Sequence, residues 1–81
     1  MLYHCLASSS AGNCHYIALD RIDRRPVVLL LEAGLRYGDI LARMTSEKLK
    51  MTDVDAVLIT HNHADHSAAA ADLQRRGVRV Y

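Results

Sequence analysis

The stretch Ala56-Val57-Leu58-Ile59-Thr60-His61-Asn62-His63-Ala64-Asp65-His66 carries both the fold and the chemistry of this 81-residue chain. Its first five residues are a short, continuous aliphatic and β-branched run, the pattern of a strand in a parallel sheet. Its last six hold three of the chain's five histidines and an aspartate. In extended chain, residues two apart project to one side at a spacing of about 6.6 Å. His61 and His63 can therefore address one cation, while Asp65 and His66, just past the point where the chain turns, project elsewhere and can address a second. Imidazole and carboxylate are the donors that zinc and its neighbours favour, and two-metal hydrolytic sites hold their ions about 3.5–4 Å apart. A solvated surface loop, with Asp65 as a helix cap, is the plainer alternative. The unbroken His-x-His-x-Asp-His string at the carboxyl end of an apolar strand, where open α/β sheets place ligands, weighs heavily against it.

Outward from this stretch the chain divides into strands and helices. Val27–Leu31 is a second continuous apolar run, expected beside 56–60 and buried on both faces. Before it, Leu2–Ala7 and Cys14–Leu19 read as strands, separated by a loop of small residues, Ser8–Asn13, and followed by a polar turn, Asp20–Pro26. From Tyr37 the period changes: Ile40, Leu41 and Met44 form one face of a short helix with Asp39 and Arg43 outside. Thr45 and Ser46 are positioned to cap a further helical turn through Leu49. Ser67–Arg76 is alanine-rich and reads as a helix with Gly77 at its C′ position, and Val78–Tyr81 as a last strand. The order is β-β-β-α-β-α-β, an α/β fold whose mixed sheet begins as an antiparallel meander and ends in parallel crossovers, with both helices on one face.

Composition narrows the functional classes. Hydrophobic residues make up 51% of the chain and the formal charge is +1, with ten Lys and Arg against nine Asp and Glu. This is neither a disordered chain nor a strongly basic nucleic-acid arm. No apolar run approaches the ~18 residues of a membrane helix, and the first residues lack the features of a signal peptide. A soluble, cytoplasmic protein without a membrane partner is expected. Cys5 and Cys14 are expected as half-buried strand thiols, His4 and His15 as solvent-facing strand residues, and Arg21, Arg24 and Arg25 as a solvated turn. The Ser8–Asn13 stretch lacks the spacing and lysine of a phosphate-cradling loop, and Ser9 lacks the setting of a nucleophile elbow.

Thr60–His66 resembles the signature of the metallo-β-lactamase fold superfamily. Leu29–Leu35 (Leu-Leu-Leu-Glu-Ala-Gly-Leu) resembles that family's apolar strand ending in Asp-x-Gly, and Thr52–Ile59 resembles the run that leads into the signature. Ala7–Cys14 (Ala-Ser-Ser-Ser-Ala-Gly-Asn-Cys) resembles the opening of a branch of small bacterial exonuclease-like proteins. The resemblance implies the N-terminal half of an αββα sandwich, residues 1–81 forming a single partial domain without the family's C-terminal half. It implies two divalent ions, zinc first and manganese or iron as alternatives. His61 and His63 would bind the first ion, Asp65 and His66 the second. Asp65 would also act in catalysis by orienting a metal-activated hydroxide for phosphodiester hydrolysis, with nucleic acid as substrate. Asn13 would be a polar contact near the site. Glu32 stands where the family has Asp, and the family's later ligands, a third His, a bridging Asp and a last His, have no counterpart here. The alternative to an active hydrolase is accordingly a truncated or split domain, acting as a structural or interaction unit or completed by self-association or a second chain.

Overall fold

The computed structural model describes residues 1–9, 12–60 and 69–81. A five-stranded sheet of order β1-β2-β3-β4-β5 is formed by Leu2–Ser9 (β1), Gly12–Arg21 (β2), Arg24–Leu31 (β3), Ala56–Leu58 (β4) and Arg79–Val80 (β5). The first three strands pair antiparallel, and β3–β4 and β4–β5 pair parallel. Helix α1, Tyr37–Ser46, and a 3₁₀ turn at Met51–Asp53 bridge β3 and β4, while α2, Ala70–Arg75, precedes β5. This is the mixed α/β sheet anticipated above, with the two apolar runs side by side.

The core lies on one face of the sheet. Cys14, Tyr16 and Ala18 of β2, Val28 and Leu30 of β3, and Val57 of β4 are buried there with Ile40 and Met44 of α1 and Leu73 of α2. Each large aliphatic side chain removed from water in this way contributes about 1.5–3 kcal/mol. Both helices thus serve the same face. The opposite face departs from expectation: Val27, Leu29 and Leu31 are only half-buried, alternating with the buried Val28 and Leu30. A run of five aliphatics cannot by itself say whether both sides of the strand are covered. Here the pleat alternates, and only the helical side is closed.

Several boundaries move for identifiable reasons. Ser8 and Ser9 continue β1, pairing with Asn13 and Gly12, because the hairpin ladder supports residues with little intrinsic strand preference. The β2–β3 connection shrinks to Ile22 and Asp23, Asp23 taking a φ of 59° that aspartate tolerates. Thr45 and Ser46 do not begin a new helical turn; they end α1. The Lys48 amide donates to the Thr45 carbonyl (3.0 Å) and the Leu49 amide to the Met44 carbonyl (2.8 Å), with Lys48 at φ 60°. That is a Schellman closure with lysine where glycine is usual. Helix α2 ends the same way, Gly77 at φ 86° and Val78 donating to Leu73 (3.0 Å), as the sequence indicates. A bulge at Leu6 interrupts the β1–β2 register, and Arg43, expected on the outer face of α1, donates from Nη1 to the Leu6 carbonyl (3.0 Å).

The strand thiols are not alike. Cys14 is fully buried, and burial, with Cys5 and Glu32 adding, pushes its thiol up to about 12, whereas Cys5 is exposed. His4 is half-buried against the edge of Tyr16, their rings 5.9 Å apart, rather than solvent-facing. His15 lies half-buried on the open face, stacked on Tyr3 with the Tyr3 hydroxyl 2.8 Å from its Nδ1. Arg25 is not merely solvated: it pairs with Asp55, whose carboxylate also accepts the Val28 amide at 2.8 Å. The hydrogen bond from Arg25, then that from Val28, hold the Asp55 carboxyl below its ordinary value. Among the described residues no helix is long and apolar enough to cross a membrane.

Candidate metal centre

The four side chains expected to bind metal, His61, His63, Asp65 and His66, lie outside the described residues, and so does most of the stretch that holds them. What is described is the frame on either side: Thr60 and Ala69. Both are held by adjacent residues of a single turn. At the end of β3, Glu32 continues the parallel ladder by donating its amide to the Leu58 carbonyl (2.8 Å) and then leaves the strand at φ 67°. Its carboxylate turns back under β4, where Oε1 accepts the Thr60 amide at 2.8 Å. The next residue, Ala33, accepts the Ala69 amide at 2.9 Å. Chain enters the 61–68 segment on Glu32 and leaves it on Ala33.

Glu32 is the feature that sequence reasoning weighed least. Its side chain is buried at 6% exposure, the only charged or polar residue so deeply placed among those described. A non-glycine residue in the left-handed region costs roughly 1 kcal/mol or more, and such outliers persist where surrounding contacts over-determine them, often at functional sites. The reversal shortens β4 to Ala56–Leu58, since no further β3 residue remains to pair with Ile59 and Thr60. The signal that could have found it is a glutamate closing an otherwise aliphatic strand, where burial demands a hydrogen-bonding partner.

Among the described residues no cluster of three His, Cys, Asp or Glu stands in position to hold a metal ion. His4 and His15 are committed to aromatic contacts elsewhere in the sheet. The donor set in 61–68, three imidazoles and a carboxylate, fits a divalent transition metal in its chemistry. A buried carboxylate hydrogen-bonded at the entrance of the segment is the kind of outer support that orients metal ligands.

The frame of a strand-end histidine segment over a mixed α/β sheet places the chain in a known class. Residues 11–78 match the Metallo-beta-lactamase superfamily, and the chain belongs to that family. Within it, the chain is 36% identical over 80 residues to an "Exodeoxyribonuclease WalJ" of Streptococcus pneumoniae, covering 98% of this chain and 28% of that protein. It is 34% identical over 74 residues to an "Exodeoxyribonuclease YycJ" of Bacillus anthracis, covering 91% of this chain and 26% of that protein. The chain therefore spans about a quarter of the length of the curated relatives it matches.

Proposed function

We propose that this chain supplies the first metal-binding segment of a metal-dependent phosphodiesterase acting on DNA. In this reading His61 and His63 hold one divalent ion, zinc first with manganese or iron as alternatives, and Asp65 and His66 a second. Ions held there lower the pKa of water towards ~7 and so supply a nucleophile at neutral pH. Asp65, as ligand and hydrogen-bond acceptor beside the reacting atoms, orients that nucleophile towards the phosphorus. Glu32 does not touch substrate; it fixes the entrance of the segment through Thr60. The observation that carries the reading is the anchoring of Thr60 and Ala69 on the consecutive residues Glu32 and Ala33, at the carboxyl ends of two parallel strands. The choice of DNA as substrate draws on the exodeoxyribonuclease names of the relatives.

A second reading is favoured by the share of the relatives that the chain spans, 28% and 26%. Catalytic zinc sites commonly use three protein ligands plus water, and residues 61–66 offer two for each ion. The 81 residues then need ligands from elsewhere, supplied by a second chain, by self-association or by further residues of a longer polypeptide. The two readings part in one experiment on the purified chain: zinc titration against a chromophoric chelator, and turnover of a phosphodiester reporter with Zn²⁺ or Mn²⁺. Zinc binding that His61→Ala weakens about tenfold or more supports the metal segment, and equal affinity in both proteins refutes it. Little turnover is expected. Robust turnover by a monomer, abolished by His61→Ala, would overturn the need for added ligands.

A further inference from the structure

The Glu32–Gly34 turn also receives a third piece of chain. The Gly34 amide donates to the Asn13 carbonyl at 2.8 Å. Gly12, the first residue of β2, is buried against the same turn. A Cβ on Gly12 would stand 2.9 Å from the Gly34 carbonyl oxygen and 2.9 Å from Leu35 Cδ2. The backbone of Gly12 is not in the left-handed region, so its requirement is for space alone. Leu35 can rotate away from a methyl group. A backbone carbonyl held by its neighbours cannot, and roughly half an ångström would have to be found between 2.9 Å and ordinary contact at 3.4 Å. The three successive residues of one turn thus bind three separate parts of the chain: Thr60 on 32, Ala69 on 33, and the start of β2 on 34.

We infer that Gly12 is a positioning residue for the 61–68 segment, setting through Gly34 where Glu32 and Ala33 hold its two ends. The inference rests on the metal reading of that segment for its consequence, though not for its geometry. A side chain at position 12 pushes Gly34 outward. Because Glu32 and Ala33 are covalently continuous with it, the 2.8 Å and 2.9 Å bonds to Thr60 and Ala69 lengthen together. Tightly packed backbone passes such a push on rather than absorbing it. Displacements near 1 Å in the support of a site are enough to cost large factors in function.

The test is amide hydrogen exchange by NMR on the ¹⁵N-labelled 81-residue chain and on Gly12→Ala. Protection at Thr60 and Ala69 is expected to fall about tenfold or more, while the Ile40 amide, bonded within α1 to Arg36 at 3.0 Å, keeps its protection. Equal losses at all three sites would show general destabilisation and overturn the proposal, as would unchanged exchange at Thr60 and Ala69. Should Gly12→Ala fail to fold, the same substitution is read in a Lys48→Gly background, which relieves backbone strain at the far end of α1. Failure of that protein too would assign Gly12 a purely structural role and overturn the proposal. Zinc titration of the folded samples separates this inference from the function it serves. Wild-type chain that binds no zinc defeats the metal reading and leaves the exchange pattern to decide on Gly12. Where the wild type binds, Gly12→Ala is expected to bind about tenfold more weakly, and the core variant Ile40→Val as tightly as wild type. Parallel weakening in Ile40→Val would return Gly12 to a structural role.

Discussion

Replacing Glu32 separates two opposing contributions that one residue makes at the end of β3. Its carboxylate is buried and accepts the Thr60 amide at 2.8 Å, and its backbone sits at φ 67°. A hydrogen bond to a charged group contributes about 1.5–3 kcal/mol. The left-handed conformation opposes this by roughly 1 kcal/mol in any residue except glycine. Glu32→Ala loses the bond and keeps the strain, so about 2 kcal/mol of stability should go, on the order of 10 °C in Tm for a chain this small. Glu32→Gly loses the same bond but relieves the backbone, and should fall short of wild type by only about 1 kcal/mol. Glu32→Asp keeps the charge yet draws the oxygen back by about 1.5 Å, one carbon–carbon bond, beyond reach of Thr60 unless the turn moves. Urea unfolding followed by circular dichroism gives all three free energies. Alanine as stable as wild type, or glycine less stable than alanine, would refute the account of Glu32 as a strained anchor.

Lys48→Gly should raise stability by about 0.5–1 kcal/mol, because the Schellman closure of α1 then loses its left-handed lysine; thermal unfolding measures it, and a lower Tm would contradict the closure described. Asp55 carries an acid dependence. Its folded pKa lies below the unfolded value, so its contribution is present above about pH 4 and drains away as pH falls through the folded value. Asp55→Asn should therefore be less stable than wild type at pH 7 and converge with it at about pH 2, as read by urea midpoints across that range. A gap that persists undiminished in acid would show that the charge of Asp55 is not what Arg25 and Val28 recognise.

The parallel core was legible because β-branched and aliphatic residues concentrate in two runs, 27–31 and 56–60, that have no helical period. Their adjacency and the placing of both helices on one side were legible for the same reason. What the runs conceal is the asymmetry of cover: Leu29 and Leu31 are as apolar as Val28 and Leu30, yet they face the open side. The end of α1 was misread because the usual marker of a left-handed C′ residue is glycine, as Gly77 correctly signals for α2, and Lys48 carries no such mark. Cys14 and His4 looked equivalent to Cys5 and His15 in the sequence. The pleat, and the bulge at Leu6, decide which of each pair meets the core. At the site, the histidine string and the glutamate at position 32 were both legible as chemistry. The hydrogen bond from Thr60 was not, since it depends on a backbone conformation that glutamate rarely adopts. The geometry of His61, His63, Asp65 and His66 themselves lies outside the described residues.

The order of strands across the sheet is the order of strands along the chain, and this bears on how the protein is made. No strand has to be threaded between two others already in place. A ribosome delivers roughly 5–20 residues per second, whereas a hairpin closes in about 1–10 microseconds. Residues 2–31 can therefore settle as a three-stranded meander while α1 is still being synthesised, with the outer side of β3 waiting as a template. β4 docks on that side once α1 has emerged, and β5 docks on β4 once α2 has followed. Each addition extends a finished surface, so the growing polypeptide never has to undo one pairing to reach the next. The histidine segment is synthesised only after the turn at 32–34, which is to hold both its ends, has already been translated.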